Sequence, residues 1–149
     1  MKENDNFATA ECPVARTLGV LGDKWSLMII RDAFDGIGRF SDLQKSTGAA
    51  KNILAARLKQ LVSAGVLETL PAAEGSAYHA YQLSAKGRAL FPLIISLRPW
   101  GEEYLFSAGE THSLLQDSRN GEPLEKLQVR NRRGEVLEPA QSVRIRVVK

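Results

Sequence analysis

One cysteine, Cys12, is all that the 149 residues hold. An intrachain disulfide is excluded, and so is a cysteine-rich metal site. Histidine is almost as scarce. His79 and His112 stand far apart, with no carboxylate pattern around them that suggests metal ligation. Long apolar runs are missing too. The longest near the front, residues 27–30, falls far short of the roughly 20 residues that a membrane-spanning helix needs. The opening MKENDNFATAEC is polar and lacks the apolar centre of a signal peptide, so the cytoplasm is the expected location. There is no phosphate-binding glycine loop, dinucleotide fingerprint or Ser-His-Asp arrangement. No enzyme, cofactor, metal or membrane partner is expected.

What is present is a core-forming chain with a mild positive charge. The hydrophobic share of 44% suffices for a packed interior, and the length fits one domain or one domain with an appendage. The net charge is +3, but its distribution is uneven. Five basic residues (Arg39, Lys45, Lys51, Arg57 and Lys59) fall between positions 39 and 60 against one acid, Asp42. That local excess of four leaves the rest of the chain at −1. The positive field is therefore concentrated in one short segment, as expected of a polyanion-binding element.

The pattern predicts mainly helices and one small hairpin. Residues 1–11 read as a flexible arm. Pro13 opens a first helix, Asp23 caps a second, and Ser41 with Gln44 forms a capping box for a short third. A fourth runs from about Lys51 to Gly65. Residues 66–83 read as a β-hairpin with a loose loop. Ser84 caps a long final helix in which Pro92 and Pro99 predict a kink or a restart. Two tight-turn signals, at residues 120–121 and 131–134, and the alternation of SVRIRVV make residues 111–149 a small β-ribbon. The order of elements is that of a winged helix-turn-helix over residues 12–107, with a long kinked C-terminal dimerisation helix and a C-terminal β-ribbon extension.

On a helical wheel Leu54, Leu58 and Leu61 share an inward face, and Asn52, Ala56, Lys59 and Gln60 lie opposite, with Ala55 at the border. Small residues permit close approach to a groove, and Asn or Gln pairs with adenine edges. Lys51 and Arg57 are placed to reach phosphates, joined by Arg39 and Lys45. No Ser, Thr, Asn or Asp stands at the start of this helix, where Ala49 and Ala50 are found.

The motifs CPV (12–14), GDKWSLMIIRDAFDG (22–36), RFSDLQKSTG (39–48), LAARLKQLVSAGVL (54–67), YQLSAKGRAL (81–90) and WGE (100–102) are similar to those of HxlR-type regulators, relatives of the MarR-like winged helices. The resemblance covers about residues 10–106. It implies a homodimer built by the first and last helices, a double-stranded DNA operator, and control of nearby genes as repressor or activator. It also implies wing contacts from Tyr78 and His79. Some members sense oxidants or electrophiles through the cysteine of the CPV motif. This sequence departs from the pattern in having Ala50 and Ala55 where serines are common. Its wing tip, residues 72–77, holds Glu74 and no arginine, and Ala80 replaces an acid.

Cys12 is the expected regulatory thiol, because the positive end of the first helix favours thiolate, with Arg16 one turn along. Trp25, Phe34, Phe91, Trp100 and Tyr104 are candidates to line a pocket for a small-molecule effector, or are core. The tail holds eight basic and six acidic residues over positions 110–149, which suits a mixed surface that packs or braces a dimer. The competing expectation is a winged-helix protein-interaction module without DNA binding, which the wing's lack of basic residues favours.

Overall fold

Several boundaries in the first half of the chain have a local cause. Asp23 sits in extended backbone and accepts from the Ser26 amide at 2.8 Å and its hydroxyl at 2.6 Å, so a helix starts at Lys24. Gly48 takes φ +75° and Gly65 φ +77°, a region that residues with a Cβ rarely enter, and helices stop there. At Gly65 the stop is a full Schellman pair: Val66 N–H donates to Leu61 C=O at 2.9 Å, and Gly65 N–H to Val62 C=O at 3.0 Å. Ser84 accepts from the Gly87 amide and caps the next helix.

The computed structural model describes residues 7–71 and 80–148. The elements are α1 (Pro13–Leu21), α2 (Lys24–Phe34), α3 (Phe40–Thr47), α4 (Lys51–Ser63), β1 (Leu67–Leu70), β2 (Ala80–Leu83), α5 (Ala85–Arg88) and α6 (Phe91–Tyr104), with a 3-10 turn at Pro139–Gln141. Strands β1 and β2 pair antiparallel, Leu67 facing Leu83 and Leu70 facing Ala80. Arg39 bridges Ala80, so the segment before α3 extends this sheet by one pair. This is the expected mainly helical fold with a small β-wing. Of the arm expected at 1–11, residues 7–9 form a 3-10 turn, and Arg16 Nε donates to the Ala10 carbonyl.

The chain divides into two compact units, Met1–Ile94 and Ile95–Lys149. The core of the first is apolar and continuous. Ile29 and Ile30 of α2, Leu43 of α3, Leu54, Leu58 and Leu61 of α4, and Leu67 of β1 are at most 2% exposed. Each such burial contributes about 1.5–3 kcal/mol before the cost of ordering the chain. Packing of this kind holds α4 by one face and leaves its other face to solvent.

Three expectations need correction. The capping box at Ser41 and Gln44 does not form: α3 begins at Phe40 with Arg39 at its N-cap and no side-chain cap bond. The bridge to Ala80 keeps Arg39 extended, so the helix starts directly after it. The final helix is two pieces, as one of the two expected forms had it, but the cause is corrected, because the restart precedes both prolines. Pro92 falls in the first turn of α6, where no hydrogen bond is lost, and the helix continues through Pro99.

The third correction is the tail. Both turns are real: Gly121 N–H donates to Asp117 C=O at 2.8 Å, and Asn131 Oδ1 accepts from Arg133 and Glu135 amides at 3.0 and 2.9 Å. Each turn closes only one bridge, Gln116 to Pro123 and Arg130 to Val136, so the described tail holds no ribbon. Residues 142–148 form no strand, and Val143, Ile145 and Val147 are 80%, 82% and 60% exposed. An isolated hairpin is marginal without a third strand or a packed face, and the described tail supplies neither.

Candidate nucleic-acid interface

The candidate reading element is a short unit of α3, turn and α4. Thr47 Oγ1 donates to the Leu43 carbonyl at 2.7 Å and accepts from the Ala49 amide at 3.3 Å, fixing the turn between the two helices. Ala49 is buried in that turn, and Gln44 Nε2 donates to its carbonyl at 3.4 Å. The N-cap of α4 is Ala50, with no side-chain bond to the first-turn amides. Thr47 therefore braces the turn instead of capping the helix.

The exposed face of α4 is one stripe. Lys51, Asn52, Ala55, Ala56, Lys59, Gln60 and Ser63 are all exposed, while Leu54, Leu58 and Leu61 lie on the buried side. Lys51 and Lys59 stand eight residues apart, about 12 Å along the helix axis at 1.5 Å per residue. Arg39 and Lys45 are exposed at the two ends of α3. Tyr78 and His79 lie outside the described residues.

Arg57 has a different setting. Its Nε lies 3.1 Å from Asp23 Oδ1, without hydrogen-bond alignment, so the contact is an ion pair. Its Nη1 donates to Gln60 Oε1 at 3.0 Å. The guanidinium thus ties α4 to the N-cap of α2. Burial alone would raise the Asp23 carboxyl, but the Ser26 hydroxyl and amide bonds and the Arg57 charge together hold it below its ordinary value.

One residue and one contact beside this unit escaped the sequence reading. Asp32 is 1% exposed and pairs with Arg31 Nη2 at 2.7 Å; the same nitrogen reaches Ser46 Oγ of α3 at 3.3 Å. A buried carboxylate thus orients a cation that links α2 to α3. The signal was available: Asp32 follows Ile29 by three positions on the apolar stripe. Asp23 as the anchor of Arg57 was not legible, because the two are 34 positions apart.

Cys12 is half-buried at the N-cap of α1, and Arg16 N–H donates to its carbonyl at 3.1 Å. The five aromatics do not share one described groove. Phe34 and Phe91 form a tilted pair at 5.3 Å between ring centroids, and Trp100 and Tyr104 another at 5.6 Å. Trp25 carries Lys24 Nζ 4.7 Å above its ring. A groove of about 530 Å³ is lined by Phe34 but by none of the other four.

Residues 20–108 match the HxlR-like helix-turn-helix family, and the chain belongs to that family. The HTH-type transcriptional regulator Mb3122 of Mycobacterium bovis is 39% identical over 92 residues, covering 62% of this chain and 58% of that protein's length. Among solved structures, that of PA1607, a proposed transcription factor, superposes with a TM-score of 0.90 at 48% identity over 95% of this chain and 99% of that one. The redox regulator HypR in its reduced form superposes with a TM-score of 0.58 at 27% identity, over 62% of this chain and 92% of that one. No helix among the described residues is long and apolar enough to cross a membrane.

Proposed function

We propose that this regulator acts as a homodimer that binds a double-stranded DNA operator in the cytoplasm, with α4 laid in the major groove. The observation that carries the reading is the stripe of seven exposed small or polar side chains on α4, held rigid by three buried leucines. A B-DNA major groove about 12 Å wide admits a helix whose outward residues are small. Asn52 and Gln60 face the base edges, and Ala55 and Ala56 allow the approach. Lys51, Lys59, Arg39 and Lys45 bind phosphates. Arg57 positions the helix through Asp23.

The dimer rests on exposed apolar side chains. Val14 and Leu18 of α1 are 66% and 48% exposed, and Leu97 and Trp100 of α6 are 53% and 60% exposed. Cys12 is the sensing thiol, a reading supported by its helix N-cap position and by the similarity to the redox regulator HypR. With one cysteine per chain, oxidation joins the thiols of two protomers or adds a small thiol.

The test is binding to the DNA upstream of the protein's own gene, followed by fluorescence anisotropy against salt. Specific binding with a steep salt dependence supports the reading. Equal affinity for that DNA and for an unrelated duplex would refute it and favour a protein-interaction module.

A further inference from the structure

The second unit holds a groove and, on the same stretch of chain, a segment that suits it. The groove has a volume of about 450 Å³. Its apolar wall includes Ile95, Leu124 and Leu127, and its acidic residues are Glu102, Glu103 and Glu125. Two cations also line it: Arg98 pairs with Glu102 at 3.3 Å and reaches Ser113, which leaves Glu103 and Glu125 against Lys126, one net negative charge. Leu124 and Leu127 are 40% and 46% exposed, so the apolar wall is uncovered.

Residues 142–148 carry the complementary pattern. Val143, Ile145 and Val147 alternate with Arg144 and Arg146, apolar on one side and basic on the other. The apolar side is bare, with Val143, Ile145 and Val147 each at least 60% exposed. Such a segment, with an unpaired backbone edge, is built to lie against another surface.

We propose that residues 142–148 of one protomer occupy this groove in a second copy of the chain, in reciprocal exchange. The inference rests on the dimer proposed above and adds a contact to it. Apolar side chains meet Ile95, Leu124 and Leu127, and Arg144 and Arg146 meet the carboxylates of the rim. The second copy is favoured over the chain's own tail for one reason. An intramolecular partner enjoys the higher effective concentration, yet none of residues 142–148 lines the groove of its own chain. A two-fold dimer makes the exchange twice, which doubles its effect.

Disulfide trapping in the full-length protein tests this, with Cys12→Ser as background. A chain carrying Val147→Cys is mixed with a chain carrying Leu124→Cys under mild oxidation. The expected product is a covalent heterodimer on a non-reducing gel. In sedimentation, Ile145→Asp and Leu127→Glu, both at exposed positions, should each weaken the dimer by about tenfold. No interchain disulfide from a protein that sediments as a dimer overturns this inference alone. An intrachain disulfide in the doubly substituted chain also overturns it, by placing the tail in its own groove. A wild-type monomer at tens of micromolar overturns the dimer reading itself.

Discussion

Replacing Lys59 by alanine is the sharpest test of how the reading helix works. Four exposed cations per protomer (Arg39, Lys45, Lys51 and Lys59) are assigned to phosphates. A dimer then makes eight such contacts. Each contributes about −0.9 to the slope of log K against log salt concentration, so the wild-type slope is about −7. A fourfold rise in salt should weaken binding by about 10⁴-fold. Lys59→Ala removes two contacts per dimer and brings the slope to about −5.4. Lysine and alanine are both good helix formers, so α4 itself is not weakened.

Arg57→Ala is the companion. A count of charges by sequence treats Arg57 and Lys59 alike, but the structure separates them. Arg57 is held by Asp23 at 3.1 Å and by Gln60 at 3.0 Å, so its loss should leave the salt slope unchanged and lower the melting temperature. The assay is anisotropy of a labelled operator duplex between roughly 50 and 200 mM salt, the range over which such slopes are steep, beside thermal melts of each variant. An unchanged slope in Lys59→Ala would refute the assignment of that residue. A slope lowered by Arg57→Ala, with no thermal effect, would reverse the two roles.

Asp23→Ala should destabilise the protein by about 0.5–2 kcal/mol at pH 7, from loss of the cap alone. Because the folded carboxyl lies below its ordinary value, this stabilisation is complete above the usual aspartate range and is lost as pH falls through the lowered value; urea unfolding of both proteins should converge in acid. Gly48→Ala places a Cβ at φ +75° in the turn before α4 and should cost about 1–2 kcal/mol, seen as a melting temperature several degrees lower. Diamide should alter DNA binding of the wild type and leave Cys12→Ser unaffected; equal responses would remove Cys12 from the sensing role.

Local chemistry made most of the described elements between residues 13 and 90 legible. The Asp23 and Ser84 caps, the glycine stops and the leucine stripe of α4 are all set within one or two helical turns, and the structure repeats them. Where the reading failed, a longer-range partner decided. Arg39 is held extended by Ala80 across the wing, which displaces the start of α3 from the expected capping box. The alternation in residues 142–148 fits a strand, but strand formation needs a neighbour, and the described chain provides none. Periodicity describes which face of a segment is apolar; it does not say what covers that face.

The same distinction applies to charge. The window from 39 to 60 carries an excess of four positive charges in sequence. In the fold, Asp23, which lies outside that window, takes Arg57 out of play, while Asp42 remains exposed on α3. Four cations are left facing solvent, two on α3 or at its N-cap and two on α4, with alanines between the latter pair. Contacts to phosphates from these cations position a protein on DNA without reading its sequence. The face suits a reader that depends on fit, where two copies, each fixed rigidly by its core, engage two half-sites together. On the DNA-binding reading proposed above, the Asp23–Arg57 pair acts without touching DNA, by tying α4 to the N-cap of α2.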